Sequence, residues 1–276
     1  MNLEFVREVG VLRYCGRSAI RQYYKRIVRS PHSIVLPTGL SMCLPPTSNF
    51  ASDVYLTGCD VDWGAEALFA SKLDLAGIFL DVGADIGYYT LYMYPRVAGV
   101  IAFEPDPRNL SWLRTNVKSY PNVEIVEQPV FRDVRTISFR LGPNSEESAI
   151  ASTPKTTDCV DMQTVTLDSI WAGRNRPRVT GIKIDVEGSD FEVLSGAANL
   201  VDEDQPLILT ELNRRDDIPR LSEWVSERDY QLFAYVRSHP RRARLEAVSA
   251  SSRDHWKMLF LVPRRLQREF HELAAN

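Results

Sequence analysis

Short apolar runs alternate with helical patterns along the chain from about Ala65 onward. The runs have the length of strands and end in turn residues, and in order they read GIFLDVG, GVIAFEP, VEIVEQPV, TGIKIDVEG, PLILTEL, YQLFAYV and HWKMLFLVP. Between them, apolar residues recur at helical spacing in EALFASKL, residues 88–94, PRNLSWLRTNVKSY, SDFEVLSGAANL and IPRLSEWVSERDY. Strands this apolar are covered on both faces, so the pattern predicts an α/β fold with a mostly parallel sheet between layers of helices.

Two regions depart from this alternation. The interval between the last two apolar runs is short, which predicts an antiparallel pair at one edge of the sheet. Residues 131–170 place RTISFRL and MQTVTLDSI around a polar loop, which predicts an inserted hairpin.

The first 62 residues follow no clear alternation, and we interpret them as an N-terminal extension or cap before one α/β domain over residues 63–276. Residues 17–29 carry apolar side chains at helical spacing among five basic residues. They predict an amphipathic helix that packs on the domain and leaves its basic face in water; contact with a membrane surface or an acidic substrate is the alternative. Residues 30–53, rich in Pro and Ser, are typical of a connecting loop or an irregular strand.

Composition narrows the class of protein without naming it. The 276 residues are 44% hydrophobic and 25% charged, which is enough apolar material for a sizeable core. The net charge of −3 gives no overall field that would draw the whole molecule to nucleic acid or to an anionic membrane. Four scattered cysteines form no zinc-binding pattern, and there is no apolar signal region or membrane span. We expect reduced thiols and a cytoplasmic protein.

A glycine turn follows the first apolar run. Residues 81–87 read Asp-Val-Gly-Ala-Asp-Ile-Gly, where Gly83 and Gly87 allow close approach of the backbone to a ligand and precede a helix N-terminus. Glu104 ends the second run, 21 positions after Gly83 (104 − 83), where an acidic residue can accept hydrogen bonds from ribose hydroxyls. The combination indicates a nucleoside-binding site.

The identity of the nucleoside follows from charge and size. A dinucleotide fingerprint needs a further glycine, and here Asp85 and Tyr88 would repel or crowd a pyrophosphate. S-adenosylmethionine has no phosphate, and its sulfonium and ammonium groups favour nearby acids such as Asp81. A nicotinamide-dependent oxidoreductase and a nucleic-acid methyltransferase are the alternatives on a similar core.

The chain also resembles a known family. The segments IFLDVGADIGYYT, AFEPDPRNLSWLRTNV, TLDSI, IKIDVEGSDFEVLSGA and ILTELN, in this order, are similar to the FkbM family of methyltransferases. The resemblance extends from about Trp63 to about Tyr235. It implies a Rossmann-like class I methyltransferase fold with a seven-stranded sheet, and S-adenosylmethionine-dependent O-methylation of a hydroxyl, often on a sugar or a polyketide.

The resemblance also implies a donor site. The residues expected to hold S-adenosylmethionine are Asp81, Gly83, Ala84, Asp85, Gly87, Glu104 and Pro105. Asp85 departs from the family, which usually has Asn there. Both residues tolerate a positive φ, so the turn should survive, while the extra charge can change the affinity for the donor.

A second group of polar residues ends the fourth and fifth runs. Lys183, Asp185 and Glu187 alternate along one side of the fourth run. Glu211 and Asn213 follow the fifth. Asp185, Glu211 and Asn213 offer oxygen ligands for Mg²⁺ or Mn²⁺, with Glu187 close by, and such a cation would lower the pKa of the acceptor hydroxyl. Alternatively, a carboxylate of this group acts directly as the base, or Glu187 only caps a helix and Glu211 only forms an ion pair.

The late loops supply the remaining candidates. His239, in SHPRR, is a candidate general base, and the neighbouring arginines could bind an anionic acceptor. Because the core strands form the fold and the donor site, we expect the first 60 residues and residues 131–164 to form the acceptor side. The acceptor is predicted to be a small molecule, with a sugar favoured, and neither nucleic acid nor a membrane span is expected.

Overall fold

Eight strands form the central sheet. The computed structural model describes residues 3–142, 148–150, 159–211, 217–237, 243–249, 252 and 256–275. The strands of the sheet are β3 (Ile78–Val82), β4 (Gly99–Phe103), β5 (Val123–Val126), β9 (Val179–Ile184), β10 (Leu207–Thr210), β11 (Tyr230–Val236), β12 (Arg244–Ala247) and β13 (Leu259–Pro263). Their order across the sheet is β12-β11-β13-β10-β9-β3-β4-β5.

The seven predicted strands are all present. Neighbouring strands from β5 to β10 are parallel, whereas β13 is antiparallel to both β10 and β11, which confirms the predicted antiparallel pair. The additional strand, β12, pairs with β11 at the edge. Its sequence, RLEA, lacks the apolar run by which the others are recognised.

Helices cover both faces of the sheet. On one face pack α4 (Ala65–Ser71), α5 (Tyr88–Met93), α6 (Pro107–Val117) and α11 (Arg264–Ala274), and on the other α7 (Leu167–Ala172), α8 (Asp190–Ser195), α9 (Ala198–Asp204) and α10 (Ile218–Ser226). Side chains alternate between the two cores along each strand: Phe79 belongs to the first and Leu80 to the second. The predicted helix after β9 divides at Gly196, where an added Cβ would lie 2.4 Å from the carbonyl oxygen of Phe131.

The inserted hairpin is confirmed, with additions. Strands β6 (Thr136–Arg140) and β8 (Cys159–Gln163) are antiparallel, and a short strand β7 (Ala149–Ile150) pairs with the other edge of β6. The segment TLDSI, which the sequence placed in the hairpin, instead begins α7. Thr166 is its N-cap, and Thr166 and Ser169 form a reciprocal capping box.

The N-terminal extension shares a core with the sheet. It contains α1 (Leu3–Val9), α2 (Val11–Tyr23), the antiparallel strands β1 (His32–Val35) and β2 (Ser41–Leu44), and α3 (Phe50–Thr57). The interpretation of residues 30–53 as a loop or irregular strand was therefore wrong for much of the segment. Leu44, Ala51 and Val54 are fully buried against the layer that contains α5 and α6.

The predicted amphipathic helix is present, but its basic side packs on the protein and its apolar side faces solvent. It comprises α2 and the π-helical turn Tyr24–Val28. Arg17 and Arg21 point inward and donate to carbonyl groups in the last turn of α3 and at the end of β2, and Arg21 is 1% exposed. Apolar Ile20 and Ile27 face solvent. Carbonyl groups at element ends need donors, and arginine supplies several at once, so the basic side packs on the protein.

The structure can be compared with the expectations about the cysteines and about a membrane span. All four cysteines are free thiols. Among the described residues, no helix combines the length and the apolar character needed to cross a membrane.

Asn116 of α6 joins the extension to the core, and its removal should cost stability. Its side chain accepts from the Cys43 N–H at 2.8 Å and donates to the carbonyls of Cys43 and Ile86 at 3.1 and 2.8 Å. Asn116→Ala leaves these buried groups unpaired, so we expect the free energy of unfolding to fall by about 1–3 kcal/mol. Urea titration followed by circular dichroism measures it. Asn122→Ala, at an exposed asparagine, is the control, and an equal loss in both variants would contradict this role.

Candidate active site

A cavity of about 570 Å³ opens at the carboxyl ends of β3, β4, β9 and β10. The glycine turn after β3, the end of β4 and the residues after β9 and β10 all contribute to its lining. The extension adds Phe50, Val61 and Asp62, and the inserted sheet adds Phe139 and Ile150. In an open parallel sheet this edge is where ligands bind, so one cavity brings together most of the residues that the sequence singled out.

The turn after β3 depends on close packing of two backbones. Gly83 has φ +80°, and a Cβ there would lie 1.8 Å from the carbonyl oxygen of Asp185. Gly87 has φ +92°, and its Cβ would lie 2.8 Å from Leu113 Cδ1. Both positions favour glycine because of their positive φ, and at Gly83 the neighbouring backbone leaves no room for a side chain. Gly83 also lines the cavity, whereas Gly87 is not among the described lining residues. Asp85 adopts a positive φ of 49°, as expected.

Glu104 lies at the end of β4 with its carboxylate already oriented. Oε2 accepts from the backbone N–H of Asp85 at 2.7 Å, and Oε1 accepts from that of Asp106 at 2.8 Å. The residue is 5% exposed. Burial raises the pKa of Glu104 to about 7, although the two N–H groups oppose the shift. A carboxylate offers about four lone-pair sites, so two remain for a ligand in the cavity.

Asp81 and Lys183 lie beneath the turn. Asp81 is fully buried on β3, accepts from Thr90 Oγ1 at 2.6 Å, and is not among the described residues that line the cavity. Lys183 of β9 donates to the Gly83 carbonyl at 2.9 Å and pairs with Asp185 Oδ2 at 3.1 Å. Burial disfavours the ammonium form of Lys183, but Asp185 and Asp81 outweigh this effect and raise its pKa. The lysine is therefore a permanent cation under the cavity.

Three carboxylates converge above this lysine. Asp185, Glu187 and Glu211 each offer one oxygen atom within 4.8 Å of the others, and we call them the carboxylate cluster. Burial by itself would raise the pKa of Asp185, but the Lys183 ammonium and a hydrogen bond from Glu211 lower it. Burial and the charge of Asp185 raise the pKa of Glu211 well above its ordinary range. These shifts favour an ionised Asp185 beside a protonated Glu211, with one proton shared by the pair.

The loop after β9 brings Glu187 to this cluster. Glu187 itself is exposed, with φ 52°, and Gly188 follows with φ 88°. Asp190 is 2% exposed, and its carboxylate is hydrogen-bonded to backbone N–H groups of this loop, including those of Val186 and Gly188. These bonds oppose the effect of burial, which raises the pKa of Asp190 to about 7. The Ser189 side chain makes no capping hydrogen bond to α8.

The extension contributes a further acid to the cavity. Asp62 Oδ2 accepts from the Tyr89 hydroxyl at 2.6 Å. The segment that carries Asp62 is held by Glu66, whose Oε1 accepts from the N–H groups of Val61 and Asp62 at 2.6 and 2.9 Å. Burial raises the pKa of Asp62, and the charge of Lys257 partly offsets it. The extension and the core sheet therefore both contribute carboxylates to this cavity.

The comparison with protein families decides the identity. The model of the FkbM methyltransferase domain matches residues 81–232, which is more than half of the chain. The chain belongs to the FkbM methyltransferase family. It is an S-adenosylmethionine-dependent methyltransferase, and its sheet is the Rossmann-like sheet of class I methyltransferases. Membership of this family excludes the alternative that the chain is a nicotinamide-dependent oxidoreductase.

Individual relatives are distant. Hexuronic acid methyltransferase AglP from Haloferax volcanii is 24% identical over 215 residues, covering 74% of this chain and 88% of the relative. The solved FkbM methyltransferase from Methylobacillus flagellatus has a TM-score of 0.49 and 18% identity, covering 76% of this chain and 52% of that one. This chain therefore spans about half the length of that protein. An rRNA methylase from Streptococcus thermophilus has a TM-score of 0.44 and 13% identity, covering 72% and 94%.

The FkbM methyltransferase places most of its predicted donor residues at the cavity. Those that line it are Gly83, Ala84, Asp85, Glu104 and Pro105. Gly87 and Asp81 are not among the described lining residues. Gly87 packs against Leu113, and Asp81 lies below the turn. Among the predicted catalytic and metal-binding residues, Asp185, Glu187 and Glu211 are brought together. Asn213 and His239 lie outside the described residues, as do Arg241, Arg242 and Arg253.

The lining residues that were not predicted as site residues include Asp62, Tyr89, Lys183 and Lys257. Tyr89 and Lys183 lie inside the two polar segments that the sequence highlighted, and the alternation along β9 already placed Lys183 on the side of Asp185. Asp62 and Lys257 had no comparable signal. Lys257 Nζ donates to the Val61 carbonyl at 2.7 Å, across 196 positions of sequence, and only the folded chain brings these segments together. Arg244, by contrast, is exposed and bonded to Glu246 at 3.0 Å.

Donor binding should depend on the ionisation of Glu104. Only the carboxylate form accepts from two ribose hydroxyls, and because its pKa is raised to about 7, it ionises as pH rises from 6 to 8. We expect the affinity for adenosylhomocysteine, measured by calorimetry, to rise about tenfold over that range. Glu104→Gln should weaken binding by about 1–3 kcal/mol and remove most of this pH dependence.

The control for this experiment is Glu127→Gln, which changes an exposed acid after β5 and should leave both affinity and pH profile unchanged. If folded Glu104→Gln bound the donor product with the same affinity and the same pH profile as the unaltered enzyme, Glu104 would not be the ribose ligand.

Proposed function

We propose that this enzyme transfers the methyl group of S-adenosylmethionine to a hydroxyl group of a sugar. The observation that carries the proposal is the carboxylate cluster in the same cavity as Glu104, because a hydroxyl nucleophile needs a proton acceptor beside the donor. The Haloferax volcanii relative is described as acting on a hexuronic acid, which supports a sugar as the acceptor.

The donor fits the residues at the glycine turn. The two remaining acceptor sites of Glu104 suit the two ribose hydroxyls, and the apolar lining from Phe103, Pro105 and Val130 suits an adenine ring. When bound, the donor supplies an electrophilic methyl group on a cationic sulfur. The negative charges of Asp85 and Asp185 favour that cation. Asp81 acts from below, through Thr90 and Lys183, to keep the turn in place.

The acceptor side is assigned to the extension and the inserted sheet. We propose that residues 1–62 act as a cap on a methyltransferase domain of residues 63–276. Asp62 and Phe50 from the cap, together with Phe139 from the insert, line the part of the cavity that the core strands do not supply. Trp256 adds an aromatic surface and Lys257 a positive charge. Aromatic faces and charged hydrogen-bonding groups are a suitable lining for a sugar.

Methyl transfer requires the acceptor hydroxyl to lose its proton as the new bond forms. We propose that Asp185 receives this proton, because it is ionised while its neighbour Glu211 is protonated. Lys183 keeps Asp185 ionised and fixes its position through the 3.1 Å ion pair. Glu187 and Glu211 orient the acceptor by hydrogen bonds. His239 remains a predicted base from the sequence.

A divalent cation is a further part of the proposal. Three carboxylate oxygens within 4.8 Å of one another are suitable ligands for Mg²⁺ or Mn²⁺ after small movements. Asp185 and Glu211, the latter after loss of its proton, would hold the ion, and Glu187 would be a further ligand. Asn213 remains a ligand predicted from the sequence. Bound there, the ion would lower the pKa of the acceptor hydroxyl. Lys183 already supplies one positive charge to Asp185, so the ion must compete with a buried ammonium group.

The acceptor class can be tested directly. Purified enzyme is incubated with isotope-labelled S-adenosylmethionine and with neutral glycans, uronic-acid glycans or total RNA, and the products are analysed by mass spectrometry. We expect a methyl ether on a sugar hydroxyl, with uronic-acid glycans the best acceptors. Label that enters a base of RNA, or a carboxyl group as a methyl ester, would contradict the proposed function.

Chelation of metal ions and substitution of Asp185 distinguish two mechanisms of proton removal. With a bound cation, chelation by EDTA should abolish turnover, and Mg²⁺ or Mn²⁺ should restore it. Asp185→Asn should lower kcat by about 10²–10⁴-fold in either case, because it removes the general base in one mechanism and a ligand of the cation in the other. Asp229→Asn changes an exposed acid in the turn before β11 and is the matched control. Full activity in a metal-free preparation would exclude the cation, and an active Asp185→Asn variant would exclude Asp185 as the base.

A further inference from the structure

The helix α2 and the π-helical turn after it have their polar side against the protein. Arg21 is buried and donates to Ser52 Oγ at 3.2 Å as well as to two carbonyls. Arg17 Nη1 donates to the Leu56 carbonyl at 3.0 Å, and Lys25 Nζ donates to Ser52 Oγ at 3.4 Å. These three basic residues are spaced four apart and form one stripe that packs on α3 and the end of β2.

The opposite side of the same helix is apolar and exposed. Leu12 is 89% exposed, Tyr23 54% and Ile27 71%, and Ile20 between them is 46% exposed. We call these four residues the outer face. Their spacing of eight, three and four places them on one side of the helix. A helix on the surface of a globular protein normally has the reverse arrangement, and a contiguous apolar strip of this kind marks a binding surface.

Charge identifies what this surface binds. No Asp or Glu occurs between Val9 and Ser52, although the whole chain has a net charge of −3. Arg13 and Arg26 are exposed, and each is adjacent in sequence to a residue of the outer face; Arg29, also exposed, follows the end of the helical turn. The strip is therefore apolar along its length and positive around it, within a slightly acidic molecule.

We propose that the outer face binds the surface of a membrane that contains anionic lipids, with the helix lying in the plane of the bilayer. Apolar side chains at helical spacing with flanking basic residues are the features by which helices insert at the level of lipid headgroups. A second copy of the chain fits poorly, because a two-fold contact through this strip would bring the arginines of both copies together. The inference does not depend on which hydroxyl the enzyme methylates.

Flotation with lipid vesicles tests the proposal on the full chain. We expect binding to vesicles of phosphatidylcholine with about one-third phosphatidylglycerol, and weak binding to phosphatidylcholine alone. Arg13→Ser and Arg26→Ser should each lower the partition coefficient about fivefold on the anionic vesicles only. The double variant Ile20→Gln, Ile27→Gln should lower it at least about tenfold. Leu75→Gln and Leu273→Gln, which change exposed leucines elsewhere, should leave it unchanged.

Two further measurements keep the result interpretable. Calorimetry with adenosylhomocysteine should give the same affinity for all these variants, which shows that they are folded and separates this test from that of the proposed function. Sedimentation velocity reports self-association. The proposal is overturned if anionic vesicles do not bind the unaltered enzyme, if the double variant binds them equally well, or if the enzyme forms a dimer that the double variant dissociates.

Discussion

One buried ammonium group holds together the catalytic edge of the sheet. Lys183 lies on the central strand β9, is 4% exposed, and contacts the Gly83 carbonyl and the Asp185 carboxylate. Asp81 and Asp62 also interact with its charge. Buried carboxylates at this density would repel one another or take up protons without a cation among them. The glycine turn and Asp185 are therefore both held by this one side chain, and its charge also acts on the acids around it.

Most of the sheet was predictable because its strands are buried on both faces. A run such as GIFLDVG can be recognised without knowledge of its neighbours, whereas β12 lies at the edge, where RLEA needs no apolar character. The helix α2 shows a different limit. Periodicity shows which residues share a face, but the direction of that face depends on acceptors at the ends of β2 and α3, elements that the sequence did not reveal.

The site was predictable where chemistry follows directly after a strand. Glu104 and Asp185 were identified because the ends of parallel strands meet at one edge, and the structure places both at the cavity. Asp81 differs, since its position before the glycines suggested contact with the donor and its side chain instead lies below the turn. Asp62 and Lys257 reach the cavity through contacts between distant segments, which no local pattern encodes.

The anchoring of Asp62 has a consequence for how the cap can diverge among related proteins. Its position depends on Glu66 within its own segment and on Tyr89, which follows the glycine turn of the core. Substitutions at the exposed positions of the hairpin of β1 and β2, which are Ser33, Val35 and Ser41, leave that arrangement intact. Replacement of Glu66 or Tyr89 does not. The extension therefore combines exposed positions that can vary freely with an inner segment whose sequence must change in step with the turn, and inherited variation should concentrate at the former.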